Sequence, residues 1–176
     1  MSRKSKYERD LRRMIADADS WPEFPGATFL ARLNKVADEA ITKKTIEGNL
    51  AAILIYHQLA EDMLRLLLRD CEFYIRLAVF PARITFPARR KQMFGQLQQS
   101  ITESIDFPGK EQLFEKCNVL NQLRIAIVHK LPQRESFTGL RRQTLRASRL
   151  HEQIYTLFDH AHDFFRVCFH DFRKNL

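Results

Sequence analysis

The segment from Ile46 to Val79 constrains the fold most, because it is apolar on nearly every side. Projected at about 100° per residue, its polar side chains fall into one narrow sector. They are Gln58, Glu61, Asp62, Arg65, Arg69 and Glu72. A helix this widely apolar is packed on several sides, and this one ends at Phe80-Pro81. We therefore expect a central helix surrounded by others.

Five further helical segments follow from a 3.6-residue periodicity. They are Tyr7–Asp19, Thr28–Lys44 with Thr28 as N-cap, Pro87–Ile105, Lys110–Lys130 and Leu140–Arg173. The sequence contains no convincing period-2 strand, and its 5 Gly and 6 Pro argue against a turn-rich β architecture. These patterns predict an all-α, up-and-down bundle of about five to six helices. Within a single domain, residues 1–44 would supply N-terminal helices that pack on a core formed by residues 45–176.

Composition points to an intracellular setting. The three cysteines, Cys71, Cys117 and Cys168, are widely spaced and odd in number, which favours reduced thiols over a disulfide framework. The basic N-terminus lacks the apolar region of a signal peptide. The longest apolar stretch, Leu50–Tyr56, is too short to span a bilayer. We expect a cytoplasmic protein with no membrane partner.

The net charge of +8 makes polyanions, above all nucleic acid, the leading class of partner. Arg142, Arg146 and Arg149 are spaced i, i+4 and i+7 along the last helix, and Arg89 and Arg90 belong to a second basic group. Each group is predicted to contact an RNA backbone. The alternative for each is an ordinary solvated face.

Arg124 stands in the stretch NQLRIAIVHKL of residues 121–131, on the apolar face of its helix. With Leu113 at 0°, Arg124 projects at about 20°. Burying an unpaired guanidinium is very costly. We therefore expect an anionic group to meet Arg124: a carboxylate such as Glu61 or Asp62, a second protomer, or a bound anion.

His129 projects at about 160°, on the polar side of the same helix. It falls in the last predicted turn, where the macrodipole favours the imidazolium form. That position suits a proton donor near neutral pH. The alternative is that Arg124 forms a structural ion pair and His129 is a solvated residue at the helix end.

The segment from Asn121 to His129 resembles the R-x(4–6)-H motif of the HEPN superfamily, the higher eukaryotes and prokaryotes nucleotide-binding domains. The segment AAILIYHQLAEDMLRLLL of the central helix resembles the HEPN helix that precedes the motif helix. The resemblance covers roughly residues 45–172. It implies an α-helical bundle, and many members of the superfamily are metal-independent ribonucleases in toxin–antitoxin, CRISPR and phage-defence systems.

If the motif acts as in HEPN ribonucleases, Arg124 binds the scissile phosphate and His129 shuttles a proton while the RNA 2′-OH attacks it. From their positions in the sequence, we expect Asn121, Glu61 and His57 to support these two catalytic residues, and the alternative for His57 is a satisfied core histidine. The reaction needs no metal or other cofactor, and DNA would not be a substrate. The resemblance also implies an RNA partner, a homodimer and an antitoxin or other partner protein.

Two features bear on this interpretation. On one regular helix Arg124 and His129 point about 140° apart, so they converge on a phosphate only if the helix unwinds or two protomers share the site. Ile125 stands where HEPN nucleases commonly have Asn, Asp or His. It favours the alternative of a non-catalytic HEPN-like module that binds RNA, a nucleotide or a protein. A purely structural helical scaffold is the third hypothesis.

The last helix is rich in histidine and aspartate but predicts no metal site. It carries Asp159, His160, His162, Asp163, Cys168 and His170. Their spacing matches no common zinc motif, and alternation of this kind beside a Phe-rich seam is mostly amphipathic patterning.

Overall fold

The computed structural model describes residues 6–87, 92–128 and 137–175. These ranges hold six α-helices and no strand, so the predicted all-α bundle is confirmed. The helices are α1 (Lys6–Ala16), α2 (Ala27–Thr42), α3 (Ile46–Ala78), α4 (Phe94–Thr102), α5 (Lys110–Val128) and α6 (Leu140–Lys174), and a single 3₁₀ turn (Ala18–Ser20) follows α1.

Helix α3 is the predicted central helix, and α2, α4, α5 and α6 all pack against it. The Thr45 hydroxyl caps its first turn by accepting a hydrogen bond from the backbone N–H of Gly48 at 3.0 Å. Gly48 is buried where α3 packs against the Ala40 end of α2. A Cβ at this position would clash with the backbone carbonyl of Ala40. The two helices therefore approach each other at backbone distance.

Helices α3 and α6, the two longest, run parallel. Thr144 near the start of α6 donates to the carbonyl of Asn49, and His162 further along α6 bonds to Asp70. Helix α5 runs the other way. It begins after Phe107, whose ring packs on Phe165 of α6, and its later residue Asn121 contacts His57 early in α3.

Helix α4 departs from a strict up-and-down path. The Phe94 ring at its start lies 4.6 Å from the ring of His57, and Ser104 just past its end lies beside Cys71. Helix α4 therefore runs parallel to α3. Phe94 at the start of α4 therefore lies beside the first half of α3, far from the end of α3 at Ala78, and the two successive helices share a direction.

Several predicted helix boundaries were wrong, among them the end of α4, which lies at Thr102 rather than Ile105. Helix α4 starts at Phe94 rather than Pro87, because the side chain of Gln96 caps the backbone N–H of Met93. Helix α2 starts at Ala27 after Gly26, whose positive φ turns the chain, so Thr28 is not the N-cap. Helix α1 ends at Ala16, and the chain then forms the short 3₁₀ turn.

The N-terminal residues share one hydrophobic core with the rest of the bundle. Leu11 and Ile15 of α1 are buried in it, as is Trp21, whose indole N–H donates to the carbonyl of Ile15 at 3.3 Å. The Trp21 ring packs edge-on against Phe169 of α6 at 5.6 Å. Within the described ranges, no helix combines the length and hydropathy of a membrane span.

Candidate functional site

Helix α5 holds Arg124 in the position that its periodicity predicts. Leu120 and Ile127, one turn away on either side, are fully buried, and Arg124 between them is half-buried. The next residue, Ile125, is also half-buried. His129, the second predicted catalytic residue, lies outside the described residues.

Two of the predicted supporting residues, His57 and Asn121, contact each other directly. His57 on α3 is 9% exposed, and its Nε2 lies 3.1 Å from Oδ1 of Asn121 on α5. Because an amide oxygen accepts hydrogen bonds, the imidazole donates through Nε2. The ring of Phe94 packs on the imidazole ring of His57, with the two ring centres 4.6 Å apart. This contact joins the central helix to the helix that carries Arg124.

Four charged or polar side chains define the electrostatics here: Glu61, His57, Asn121 and Arg124, which we call the α3–α5 polar cluster. Burial lowers the pKa of His57 from its usual value of 6.5. The positive charge of Arg124 lowers this pKa further, while the hydrogen bond to Asn121 and the charge of Glu61 oppose the shift. The imidazole is therefore neutral at pH 7 and adds no second cation beside Arg124.

Glu61 and Asp62 were the carboxylates expected to meet Arg124. Among the described residues, both form their ion pairs with Arg65, one turn further along α3. Arg65 donates to Glu61 and also to the backbone carbonyl of Gln92 at 2.9 Å. Glu61 still acts on the cluster through its charge, since its field reaches His57.

The predicted arginine stripe on α6, which consists of Arg142, Arg146 and Arg149, is exposed along its whole length. Thr144 and Ala147 lie between these arginines in sequence and are fully buried, so the stripe occupies the solvent face of the helix. Arg89 and Arg90, the second predicted RNA-binding group, lie outside the described residues.

One histidine of the last helix takes part in a buried network. Asp70 of α3 is 0% exposed, and its Oδ2 lies 2.8 Å from Nδ1 of His162. Arg166 donates through Nε to Nε2 of His162 at 3.3 Å and through Nη2 to the carbonyl of Pro22 at 2.8 Å. His162 thus bridges Asp70 of α3 and Arg166 of α6. In the described part of the chain, no group of three or more His, Cys, Asp or Glu residues is arranged to hold a metal ion.

Sequence reasoning missed Asp70 and His151, both of which are buried. A helical projection contains the signal for each. Asp70 falls within about 40° of Met63 and Leu66 on the apolar side of α3, and His151 falls within about 40° of Ala147 on the buried side of α6. A polar residue in such a sector requires a partner in the fold.

The chain matches no protein-family model, no curated protein and no solved structure. Its function is therefore inferred from its own residues and from the motif that residues 121–129 resemble.

Proposed function

We propose that this protein is a HEPN-like, metal-independent endoribonuclease that acts as a toxin or phage-defence effector. The observation that carries the proposal is the α3–α5 polar cluster. It combines the motif residue Arg124 with His57, Asn121 and Glu61, the side chains predicted to support it. Two helices thus contribute polar groups around one half-buried arginine.

The cluster suits an arginine that binds phosphate. Asn121 lies three residues before Arg124, so both side chains occupy neighbouring positions on α5. The hydrogen bond from His57 holds Asn121 in place, and the neutral imidazole leaves Arg124 as the cation of the cluster. An oriented guanidinium stabilises negative charge that develops on a phosphate in the transition state.

The proposed reaction is a transesterification within the RNA strand. The 2′-oxygen attacks the adjacent phosphorus and the bond from phosphorus to the 5′-oxygen breaks. The products carry a 2′,3′-cyclic phosphate and a 5′-hydroxyl. His129 transfers the proton of the attacking 2′-hydroxyl to the departing 5′-oxygen. Because Arg124 and His129 project about 140° apart on one helix, the proposal includes a second copy that supplies the other half of each site. The exposed stripe of Arg142, Arg146 and Arg149 would bind the flanking RNA backbone.

A second candidate is a non-catalytic HEPN-like module that binds RNA, a nucleotide or a protein. Ile125 favours it, because this half-buried aliphatic side chain replaces a polar group next to Arg124 and cannot orient substrate by hydrogen bonding. Under this hypothesis the chain binds one of these partners and cuts no RNA.

The deciding experiment is cleavage of a labelled RNA in EDTA by the wild type, Arg124→Ala and His129→Ala. Arg32→Ala and His160→Ala are matched controls, since both side chains are exposed on other helices. The wild type and controls should cut, and each motif variant should be slower by about 100-fold or more. RNA with a 2′-deoxy sugar at the cut site should stay intact.

Two outcomes would overturn the proposed ribonuclease activity. Intact RNA with the wild type excludes it, and a binding assay on the same RNA then tests the second candidate. Equal cleavage by all variants shows that the activity comes from elsewhere. Circular dichroism of Arg124→Ala checks that its loss of activity is not a loss of fold.

Mixing the two motif variants tests the shared site. A dimer of Arg124→Ala with His129→Ala keeps one intact pair if the arginine and the histidine come from different copies. After subunits exchange, the mixture should recover about one quarter of wild-type activity. No recovery would place both residues of a site in one protomer.

A further inference from the structure

The outer side of α6 is open to solvent along most of the helix. With Thr156 at 0°, the side chains of Leu145, Arg149, Asp163 and Val167 all project within about 20° of it. All five residues are exposed, Leu145 by 38% and Val167 by 60%. We call this exposed side of α6, centred on Thr156, the α6 outer face.

The charges on the α6 outer face are divided into two halves. The arginine stripe lies before Thr156, whereas Asp159, Asp163 and Asp171 lie after it, and all of these side chains are exposed. Like charges three or four residues apart on a helix repel each other. Among the described residues, neither Arg149 nor Asp163 forms an ion pair. The division is therefore unfavourable within one chain and points to opposite charges that come from outside it.

The two halves of the face match each other when one copy is turned end over end. Arg149 and Asp163 are each seven positions from Thr156, and Leu145 and Val167 are each eleven positions from it. A two-fold axis through Thr156 places Arg149 of one copy against Asp163 of the other, and Leu145 against Val167. Because the symmetry repeats each contact, this arrangement gives two ion pairs and two apolar contacts.

Further from the axis, Arg142 and Asp171 extend the match. They lie fourteen and fifteen positions from Thr156 and project on the same side of it, at about 40° and about 60°. Two antiparallel helices that cross at about 20° stay close enough at these ends for a long arginine side chain to reach across. Asp171 accepts a hydrogen bond from Lys174 at 3.3 Å, so Arg142 of the other copy would share this carboxylate.

We propose that the α6 outer face binds the same face of a second copy, antiparallel and about a two-fold axis through Thr156. A second copy accounts for both halves of the face. RNA accounts only for the arginine stripe, because the carboxylates of the other half repel phosphates. The pairing does not depend on the proposed ribonuclease activity. It uses the arginines that would contact RNA, so a chain makes one of these contacts at a time.

The size and charge of the face define how strong the pairing is. A face about 45 Å long and about 10 Å wide offers roughly 450 Å² per copy, about half of what a standard interface buries. Glu152 of one copy also comes near Asp159 of the other beside the axis, and these like charges repel. The net charge of +8 on each copy opposes association as well. We therefore expect reversible association in the micromolar range.

The test traps the pair with a disulfide on the axis. The parent chain carries Cys168→Ser, since the other two cysteines, Cys71 and Cys117, are buried. Thr156→Cys in this chain should form a cross-linked dimer under mild oxidation, measured on non-reducing gels. Val167→Cys should cross-link at least tenfold more slowly, because antiparallel pairing separates its two copies by about 33 Å.

Charge reversal then tests the ion pairs. In the Thr156→Cys chain, Arg149→Glu and Asp163→Arg should each slow cross-linking at least tenfold, because like charges then face each other. An equimolar mixture of the two should recover about half of the rate, since half of its encounters join unlike variants and restore both ion pairs. Arg32→Glu and Glu39→Arg, at exposed positions on α2, are matched controls and should keep the full rate.

Two results would overturn the proposal. One is cross-linking of Thr156→Cys that is no faster than that of Val167→Cys. The other is a mixture of the two charge-reversed variants that cross-links no faster than each variant alone. Circular dichroism of each variant checks that a slow rate does not reflect a loss of fold. The assay contains no RNA, so its result is independent of the proposed ribonuclease activity.

Discussion

His151 shows how a single buried side chain makes stability depend on pH. Its ring packs on that of Tyr56 at 5.0 Å, and burial lowers its pKa from 6.5 to about 4. The unfolded chain therefore binds a proton more readily than the folded chain between these two values. The stabilising contribution is complete above pH 6.5 and is lost as the pH falls towards 4.

We predict that the free energy of unfolding falls by as much as about 3 kcal/mol across this range through His151 alone. Urea unfolding at several pH values between 7 and 4 measures it. His151→Phe should have a shallower pH dependence, while His57, whose pKa is also lowered, leaves a residual slope. His160→Gln, a change at an exposed site, should keep the wild-type slope. An equally steep slope in His151→Phe would contradict the assignment.

At the scale of single residues, a helical projection predicted the position of Arg124 on its helix but not the contacts around it. Periodicity placed it among Leu120 and Ile127, and the structure has it there. The contact between His57 and Asn121 could not be derived in this way, since it depends on how α3 and α5 rotate against each other. The expected contact of Glu61 with Arg124 depends on the same rotation. Glu61 pairs instead with Arg65, because a partner one turn away on the same helix needs no alignment between helices.

At the scale of helices, the close approach of α2 and α3 depends on Gly48, because glycine has no Cβ. A Cβ there would meet the carbonyl oxygen of Ala40, which is backbone and cannot rotate away. Gly95 on α4 is the natural comparison, because a Cβ added there meets no atom of the structure within 4 Å. The same substitution should therefore have opposite effects at these two helical glycines.

We predict that Gly48→Ala destabilises the protein by about 2 kcal/mol, since overpacking outweighs the better helix propensity of alanine. Gly95→Ala should stabilise it by about 0.5–1 kcal/mol. Chemical denaturation of both variants beside the wild type measures the two changes. Stabilisation by Gly48→Ala would show that α2 and α3 do not approach each other at backbone distance.

The helices themselves were largely predictable, because each is long enough to show its period. The start of α3 at Ile46 and of α6 at Leu140 are those expected from the sequence. The start of α4 was not, because it depends on a side-chain cap from Gln96 that is only one of several local options. The parallel direction of α4 and α3 was not predicted either, because the segment between these helices carries no periodic signal.

At the scale of the whole molecule, the net charge of +8 and the exposed arginine stripe of α6 would make separate contributions to the proposed RNA binding. Net charge attracts any polyanion over a distance, whereas a local stripe releases counterions from the phosphates that it touches. A log–log plot of the binding constant against salt concentration separates these effects.

We predict that replacing Arg142, Arg146 and Arg149 together by alanine lowers the salt-dependence slope for single-stranded RNA by about 2. Replacing Arg32, Lys43 and Lys44 by alanine removes the same charge from exposed positions around α2 and should leave the slope unchanged. Fluorescence anisotropy at several salt concentrations measures both. Equal slopes for the two triple variants would mean that the stripe does not touch RNA.

The parallel pairing of α3 and α6 also governs when the chain can fold. Its contacts join residues far apart in sequence: 95 positions separate Asn49 from Thr144, and 92 separate Asp70 from His162. Such distant contacts form late in folding, because bringing their residues together has a high entropic cost for the long segment between them. During synthesis on the ribosome, one apolar side of α3 would stay uncovered until α6 has emerged. The time between the synthesis of these two helices is then the interval in which a nascent chain of this protein most needs protection from aggregation.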